Sequence, residues 1–493
     1  MKKKSRNLII MALALAVLAG AYFTWRAVGG SGDGTDTSGG DTSYSVGAVD
    51  YKTLSFVSVS RRTEPESEGG EPGRIEFEFR LNEGGSAWLW SEDENVPLDN
   101  EQFADMATAV SSLTSPYRLE GISTAELSKY GLDDPEITLT FTDDNGTHRF
   151  YIGAKSSFNG ANYFCNDDKT TVYTVSSSVA ETFRFGIFDL IKADEAPTMN
   201  ASALTSLEYT DGDRKLLFTY YADGKASDYT GKYNWYVSEN GGSETPVASD
   251  IGKALTSALT AIDLDNVVSY NNARDSEYGL DAGARLVLKY MKTTKVTDST
   301  TNIEKEVKTP AEYVICIGKS EDGTVYARPE GSALTVKLSA QETFRNVTAD
   351  NTRVLRANEL VLPDYSRIDS MTFTCGGKTL TVKVTHGDDG SVSYSASGDG
   401  SPDSETLDAL LGALADARTT AFASDLDRDS AAGSDTVFSV AFVFNTGDSA
   451  NATLALSHYS ENYYLVSFMS DSDRLITADG LKALTDTFDA CVK

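Results

Sequence analysis

His148, His386 and His458 are the only histidines in this chain of 493 residues, so proton transfer near neutral pH has few candidates. His148 and His386 sit beside the turn strings DDNGTH and THGDDG, where an exposed imidazole is ordinary. No G-x-S-x-G string marks a nucleophile elbow, so a serine hydrolase has no anchor. Cys165, Cys316, Cys375 and Cys491 form no C-x-x-C, and no histidine lies at metal-ligand spacing from them. Cys316, inside the apolar run YVICIG, reads as a small buried hydrophobe, although one chance pair stays open in an oxidising compartment. In SDLDRDSAAGSD, Asp425, Asp427 and Asp429 are spaced like the start of a calcium loop. Ser430 stands where that loop needs Gly, and Thr436 where it needs Glu, so a solvated turn is favoured. Two glycosidase carboxylates cannot be chosen from 73 Asp and Glu without a cleft. The remaining candidates are aromatic. SAWLWSE places Trp88 and Trp90 on one strand face, and YNWYVSE places Trp235 in a similar slot before a helix. They suit either packing under a helix or a sugar-stacking platform, and recurrence at equivalent places favours packing. No catalytic residue, metal ligand or cofactor is assigned.

Charge narrows the partners. Lys and Arg number 43 against 73 Asp and Glu, a net charge of −30. Such a field repels phosphate backbones, which argues against nucleic acid. Apolar residues are 40% and aromatic residues 10%, enough for packed cores.

Two copies of S-x-Y-G-L-D, beginning at Ser128 and Ser276, lie 148 residues apart. An amphipathic helix precedes each. The first buries Phe103, Met106, Val110 and Leu113, capped by Asp99 or Asn100; the second buries Ile251, Leu255, Ala258, Leu259 and Ile262, capped by Ser249 or Asp250. Phe103 to Tyr130 and Ile251 to Tyr278 both span 27 residues. Downstream, Glu181-Thr182-Phe183-Arg184 recurs as Glu342-Thr343-Phe344-Arg345. The second copy carries an insert, about Met291 to Pro310, read as an extended hairpin loop. A degenerate third copy has the helix stripe Leu407, Leu410, Leu411 and Leu414, strands after it and a closing helix, without Y-G-L-D. The expected fold is α+β: tandem modules of antiparallel sheet with helices on one face, at 50–195, 196–350 and 351–493.

The repeated string reads as a chain corner. Ser123 and Glu126 have capping-box spacing, so a helix starts there and ends at Tyr130. Gly131 takes the left-handed position cheaply, Leu132 folds back on Leu127, Asp133 bonds the next turn and Pro135 enters a strand. In the second copy Tyr278, Gly279, Leu280 and Asp281 remain. Every residue has a mechanical role, which favours a corner over an active site.

At the N-terminus, Lys2, Lys3, Lys4 and Arg6 precede an uncharged run from Leu8 to Trp25. As a helix this run spans about 27 Å, near the thickness of a bilayer core. Residues 1–28 are therefore expected to form a single transmembrane signal-anchor, with the N-terminus cytoplasmic and the rest extracytoplasmic. The rival is a secreted protein, cleaved near Ala19-Gly20-Ala21. Residues 29–49, with GGSGDGTDTSGGD, read as a flexible tether.

The helix, LSKYGLDDPEITLTF, a strand ending in IG, VYTV and a closing helix together resemble the bacterial domain-of-unknown-function 4340 family. The resemblance covers the first two units, and the second departs from it with Gly283 where Pro is sought. It implies an N-terminal membrane anchor and an accessory exported part of an assembly with ABC-type permeases; it supplies no catalytic residues. Taken with the residues, the expectation is a non-enzymatic, membrane-anchored binding or scaffold component of a transport or envelope assembly. Two rivals stay open: a surface carbohydrate-binding protein or glycan-acting hydrolase, and a structural spacer.

Overall fold

The computed structural model describes residues 43–47, 49–64, 72–157, 159–225, 232–297, 303–426, 435–445, 451–468 and 472–493. The expected anchor at 1–28, most of the tether, and Asp427 and Asp429 lie outside those residues. No described helix is long and apolar enough to cross a membrane. The architecture is mostly antiparallel sheet with helices, an α+β fold. The chain divides into two compact units: residues up to 196 with 263–279 and 326–339, and residues 197–262, 280–325 and 340–493.

The first unit is built on an eight-stranded sheet. Its strands run in the order Trp88–Trp90, Arg74–Leu81, Phe56–Arg62, Ile137–Asp143, Gly146–Lys155, Asn162–Asn166, Thr171–Val175 and Arg118–Glu120. Period-2 alternation drives this: in Ile137–Asp143, Ile137, Leu139 and Phe141 are buried while Thr138 and Thr140 are half-buried. The helix Asn100–Ser111 buries Phe103, Met106, Ala107 and Val110. Asp99 caps it, accepting from the Glu101 N–H. Phe103 lies edge-on to Phe79 at 5.0 Å and stacks on Trp88 at 4.4 Å. The recurring E-T-F-R string is explained by its Phe: Phe183 follows the short helix Ser177–Thr182 and is wholly buried. Residues 44–47 and Val49, at the end of the expected tether, are packed instead. Tyr44–Ser45 pairs with Thr114–Ser115, and Val46 and Val49 are buried. A Cβ on Gly47 would fall 1.8 Å from the Val110 carbonyl oxygen, so only glycine lets the chain pass the helix end there.

The second unit holds two sheets. In one, six strands run Thr245–Pro246, Trp235–Glu239, Arg214–Tyr220, Leu204–Asp211, Arg285–Thr297 and Glu304–Lys319. The other runs Val392–Gly398, Lys378–His386, Ile368–Cys375, Thr436–Phe444, Ala452–Ser460, Tyr463–Ser467, Arg474–Thr477 and Ala421–Phe422. This last order reproduces that of the first unit's sheet strand for strand. The third copy thus keeps the topology without the Y-G-L-D string. Its helix Ser404–Asp416 buries Leu407, Leu410, Leu411 and Leu414, the stripe read from the sequence. Phe344, the second copy of the E-T-F-R phenylalanine, is buried in the helix Gln341–Val347.

The connection between these two sheets is hydrogen-bonded from Leu355 to Leu360. The Ala248 N–H donates to Leu355 O, Leu360 N–H to Ala417 O and Thr419 N–H to Asn358 O. Arg474, only 8% exposed, donates through Nη1 to Ala357 O at 3.0 Å and Glu359 O at 2.8 Å. Two local expectations need correcting. The helix Ser249–Thr260 is preceded by Ala248 and has no side-chain cap, because Ser249 Oγ donates to Lys232 O instead. The insert is regular strand: Arg285–Thr297 and Glu304–Cys316 stay in register over 13 residue pairs. Its described residues mix β-branched and polar types, which suits a pleated ribbon as well as a loop.

Candidate functional site

The corner at Tyr130 is built from short-range bonds. The Ser123 backbone N–H and Oγ both donate to Glu126 Oε2, at 3.2 and 2.9 Å, opening a 3₁₀ helix over Thr124–Tyr130. At its other end Gly131 has φ 65° and ψ 30°. The Gly131 N–H donates to Ser128 O and the Leu132 N–H to Leu127 O, the paired bonds of a Schellman end. Leu127 and Leu132 are buried together with Cys165 and Val172. Tyr130 packs edge-on against Tyr163 at 5.0 Å. The corner lies against the strand Gly146–Lys155: a Cβ on Gly153 would fall 2.3 Å from Tyr130 O, and one on Gly131 2.9 Å from Ala154 N. The glycine of the recurring I-G string is therefore the other half of this close approach. Asp133 is exposed and has no hydrogen-bond partner among the described residues, contrary to the expected bond to the next turn. Its neighbour Asp134 does the fastening, pairing with Arg74 at 2.8 Å and with Arg62.

In the second copy Gly279 is also left-handed, with φ 69°. Tyr278 is buried, packs at a tilt on Tyr326 at 4.3 Å and donates to Val268 O. Nearby, Arg328 grips Asp275 through both guanidinium nitrogens, at 2.7 and 2.8 Å. Leu280 is buried at the start of a short 3₁₀ turn, and Asp281 is exposed. Among the described residues neither corner gathers a reactive set around its tyrosine and aspartate.

Trp88 and Trp235 point inward. Trp88 is 8% exposed with its ring against Phe103, and Trp235 is 1% exposed, donating from Nε1 to Thr256 Oγ1 at 2.9 Å. Trp90 is half-buried, and its Nε1 is buried with no partner among the described residues. A stacking platform needs an open ring face, and Trp88 and Trp235 offer none. Above Trp235 lies a recess of about 190 Å³, lined by Tyr220, Lys232, Asn234, Ser249, Lys253 and Thr256 among others. Its walls hold two ammonium groups, an amide and hydroxyls, and Trp235 passes close to Gly252, where a Cβ would fall 3.3 Å from the indole Cδ1.

The groups sequence reading singled out for chemistry are dispersed. His148 Nε2 lies 3.0 Å from Asp143 Oδ1. Burial raises the affinity of Asp143 for a proton, but the N–H groups of Asp50 and Asn145 and the His148 ring outweigh it and hold the carboxyl below its ordinary range. His386 lies 3.6 Å from Asp369, and His458 packs edge-on to Tyr464. All four cysteines are free. Burial pushes the Cys165 thiol up to about 12, which leaves it inert. Among the described residues no group of three His, Cys, Asp or Glu is placed to hold a metal. Asp425 of the calcium-like string accepts from Arg353 at 2.7 Å.

The feature sequence reasoning missed is the ribbon. The strand Leu204–Asp211 pairs with Arg285–Thr297 only as far as Tyr290. From Met291 outward, that strand and Glu304–Pro310 continue as a two-stranded ribbon. One ribbon face is neutralised across the strands, with Lys289–Glu312 at 3.6 Å and Lys295–Glu304 at 3.7 Å. The other carries Lys292, Thr294 and Val296 opposite Thr309, Val307 and Lys305, with no carboxylate. Val296, Ile303 and Val307 are 50%, 58% and 41% exposed.

Comparison with known proteins fits the duplicated corner. The model of a family described as a domain of unknown function, DUF4340, matches residues 88–238 and again 235–436. The chain belongs to the DUF4340 family. The two matches each contain one Y-G-L-D corner, as the sequence resemblance implied, and the second extends into the sheet that begins at Ile368. No curated protein matches the chain. Among solved structures, the DNA polymerase III subunit beta from Pseudomonas aeruginosa is similar at 9% identity and a TM-score of 0.12, covering 87% of this chain and 92% of its own. A score that low carries no argument about fold or activity. In this DUF4340 chain the ribbon's signal was its length: thirteen residues from Arg285 to Thr297 without Gly or Pro.

Proposed function

We propose that this DUF4340 chain is a membrane-anchored, extracytoplasmic binding component that docks other envelope proteins, an ABC-type permease among them, and performs no bond-making step. The observation that carries this reading is the ribbon beyond Tyr290, which exposes Val296, Ile303 and Val307 where an internal role would bury them. The charged run at Lys2–Arg6 and the apolar run Leu8–Trp25 support the anchor and the outward placement of the sheets. The repeated topology supports three modules carried in series beyond the tether. The inert Cys165 and the buried Trp88 and Trp235 favour binding by surface over chemistry or glycan stacking.

Photo-crosslinking from positions 296 and 307 of the full-length chain, in intact cells, tests the reading. Adducts to a polytopic permease are expected. Recovery of only unlinked chain from both positions would overturn it, and so would equal adduct yield from an exposed position far from the ribbon, such as Tyr51.

A further inference from the structure

We propose that the free edge of Arg285–Thr297, from Met291 to Thr297, takes an extended acidic segment of another protein as an added strand. The proposal rests on the docking reading above and names the chemistry of its partner.

The edge is open because the two ladders flanking this strand differ in length. Pairing with Glu304–Cys316 covers all of Arg285–Thr297. Pairing with Leu204–Asp211 ends at Tyr290. In an antiparallel pair, alternate residues aim N–H and C=O away from the partner. Met291–Thr297 therefore presents a row of backbone donors and acceptors over roughly 24 Å, with no strand on that side among the described residues. The sequence suits an added strand: Thr293, Thr294, Val296 and Thr297 are β-branched and there is no proline. The opposite edge of the ribbon contains Pro310, which has no N–H to offer.

Charge selects the occupant. Arg285–Thr297 holds Arg285, Lys289, Lys292 and Lys295 and not one acid, in a chain of net charge −30. Lys292 lies on the face without carboxylates, so an incoming strand with carboxylates on that face meets an ammonium group, whereas Lys295 on the other face already pairs with Glu304. Val296 and Val307 share a face beside the edge and give apolar residues of that strand a place to pack. Edge lysines are a common guard against pairing between copies. Here they set like charges opposite or diagonal to one another when two such edges pair symmetrically, while leaving an acidic strand welcome. An anionic bilayer is the poorer partner, because it is repelled by the net charge of the whole chain and cannot continue a β-ladder.

Hydrogen exchange on the full-length chain in nanodiscs of neutral lipid tests the proposal. The probes are nine-residue peptides alternating Glu with Val or Thr, in both registers, and the same peptides with Lys for Glu. Amides of Met291–Thr297 should slow at least tenfold with the Glu peptides at 50 mM salt, and less at 500 mM. That protection should vanish in the double variant Lys292→Glu, Lys295→Glu, whose sheet amides at Leu286–Leu288 should stay protected as before. Equal protection by the Lys peptides, or none from either Glu register, overturns the proposal. So does protection that rises with protein concentration alone, or that comes from vesicles containing phosphatidylglycerol instead of peptide. If the crosslinks from positions 296 and 307 form while no peptide protects the edge, strand addition falls and the docking reading stands. If the crosslinks are absent as well, both fall.

Discussion

Replacing Gly131 by alanine tests the corner at its tightest point. Gly131 sits at φ 65°, where a Cβ costs about 1 kcal/mol in backbone preference. The added carbon would also stand 2.9 Å from Ala154 N and 3.0 Å from Ala154 Cβ, just beyond the point where the strand is paired on both sides. Moving that strand by a few tenths of an ångström costs about 1–3 kcal/mol, by analogy with overpacked cores. The expected loss is thus about 2–4 kcal/mol, the sum of those two effects. Gly121 supplies the control. It is in the same unit, has φ 73° and would meet nothing within 4 Å, so Gly121→Ala should cost only about 1 kcal/mol. Urea unfolding followed by tryptophan fluorescence reads the difference, since Trp88 and Trp90 lie in this unit. With a slope of roughly 2 kcal/mol/M, the midpoint should fall by about 1–2 M for Gly131→Ala and about 0.5 M for Gly121→Ala. Adding Gly153→Ala to Gly131→Ala should cost less than the two single changes together, because both open the same gap. Equal midpoints for Gly131→Ala and Gly121→Ala would refute the close approach and with it the mechanical account of the repeated string.

Other expectations follow from single side chains. Leu132→Ala, at a wholly buried site, should destabilise the first unit by about 2–5 kcal/mol in the same assay. Arg474→Met should remove two hydrogen bonds to Ala357 and Glu359 carbonyls and cost about 2–4 kcal/mol, read by the exchange of amides at Leu360 and Thr419. Because the Asp143 carboxyl is held below its ordinary range when folded, its stabilising effect is complete above the unfolded value, near pH 4, and is lost as pH falls through the folded value. Asp143→Asn should therefore lower the urea midpoint at pH 6 and narrow the difference between pH 6 and pH 3. The Cys165 thiol, pushed up to about 12, should alkylate with iodoacetamide at pH 8 about a thousandfold more slowly in the folded chain than in urea, as measured by mass spectrometry.

What could be read from the residues alone was whatever local geometry decides. The corner was legible because Ser123, Glu126, Leu127, Gly131 and Leu132 act within one turn of chain, and their bonds need no distant partner. The helix stripes at Phe103 and Leu407 were legible for the same reason. Asp134 was overshadowed by Asp133, because its partners Arg62 and Arg74 lie on strands far away in sequence. The cap expected from Ser249 failed because its hydroxyl is taken by Lys232 O, a contact set by the sheet. The glycine of the I-G string carried no visible reason until the chain at Tyr130 was seen passing over it. The ribbon was read as a loop since Thr, Lys and Glu dominate it; the register that makes it strand is a long-range property, and so is the shortfall of Leu204–Asp211 that leaves its edge open.

Docking through the ribbon is the claim on which the functional account turns. Hydrogen exchange of the full-length chain in its native membranes, set against the same chain purified alone in nanodiscs, measures it directly. The account predicts that amides of Met291–Thr297 exchange more slowly in native membranes while those of Leu286–Leu288 are unchanged. Identical exchange at Met291–Thr297 in the two preparations would contradict it.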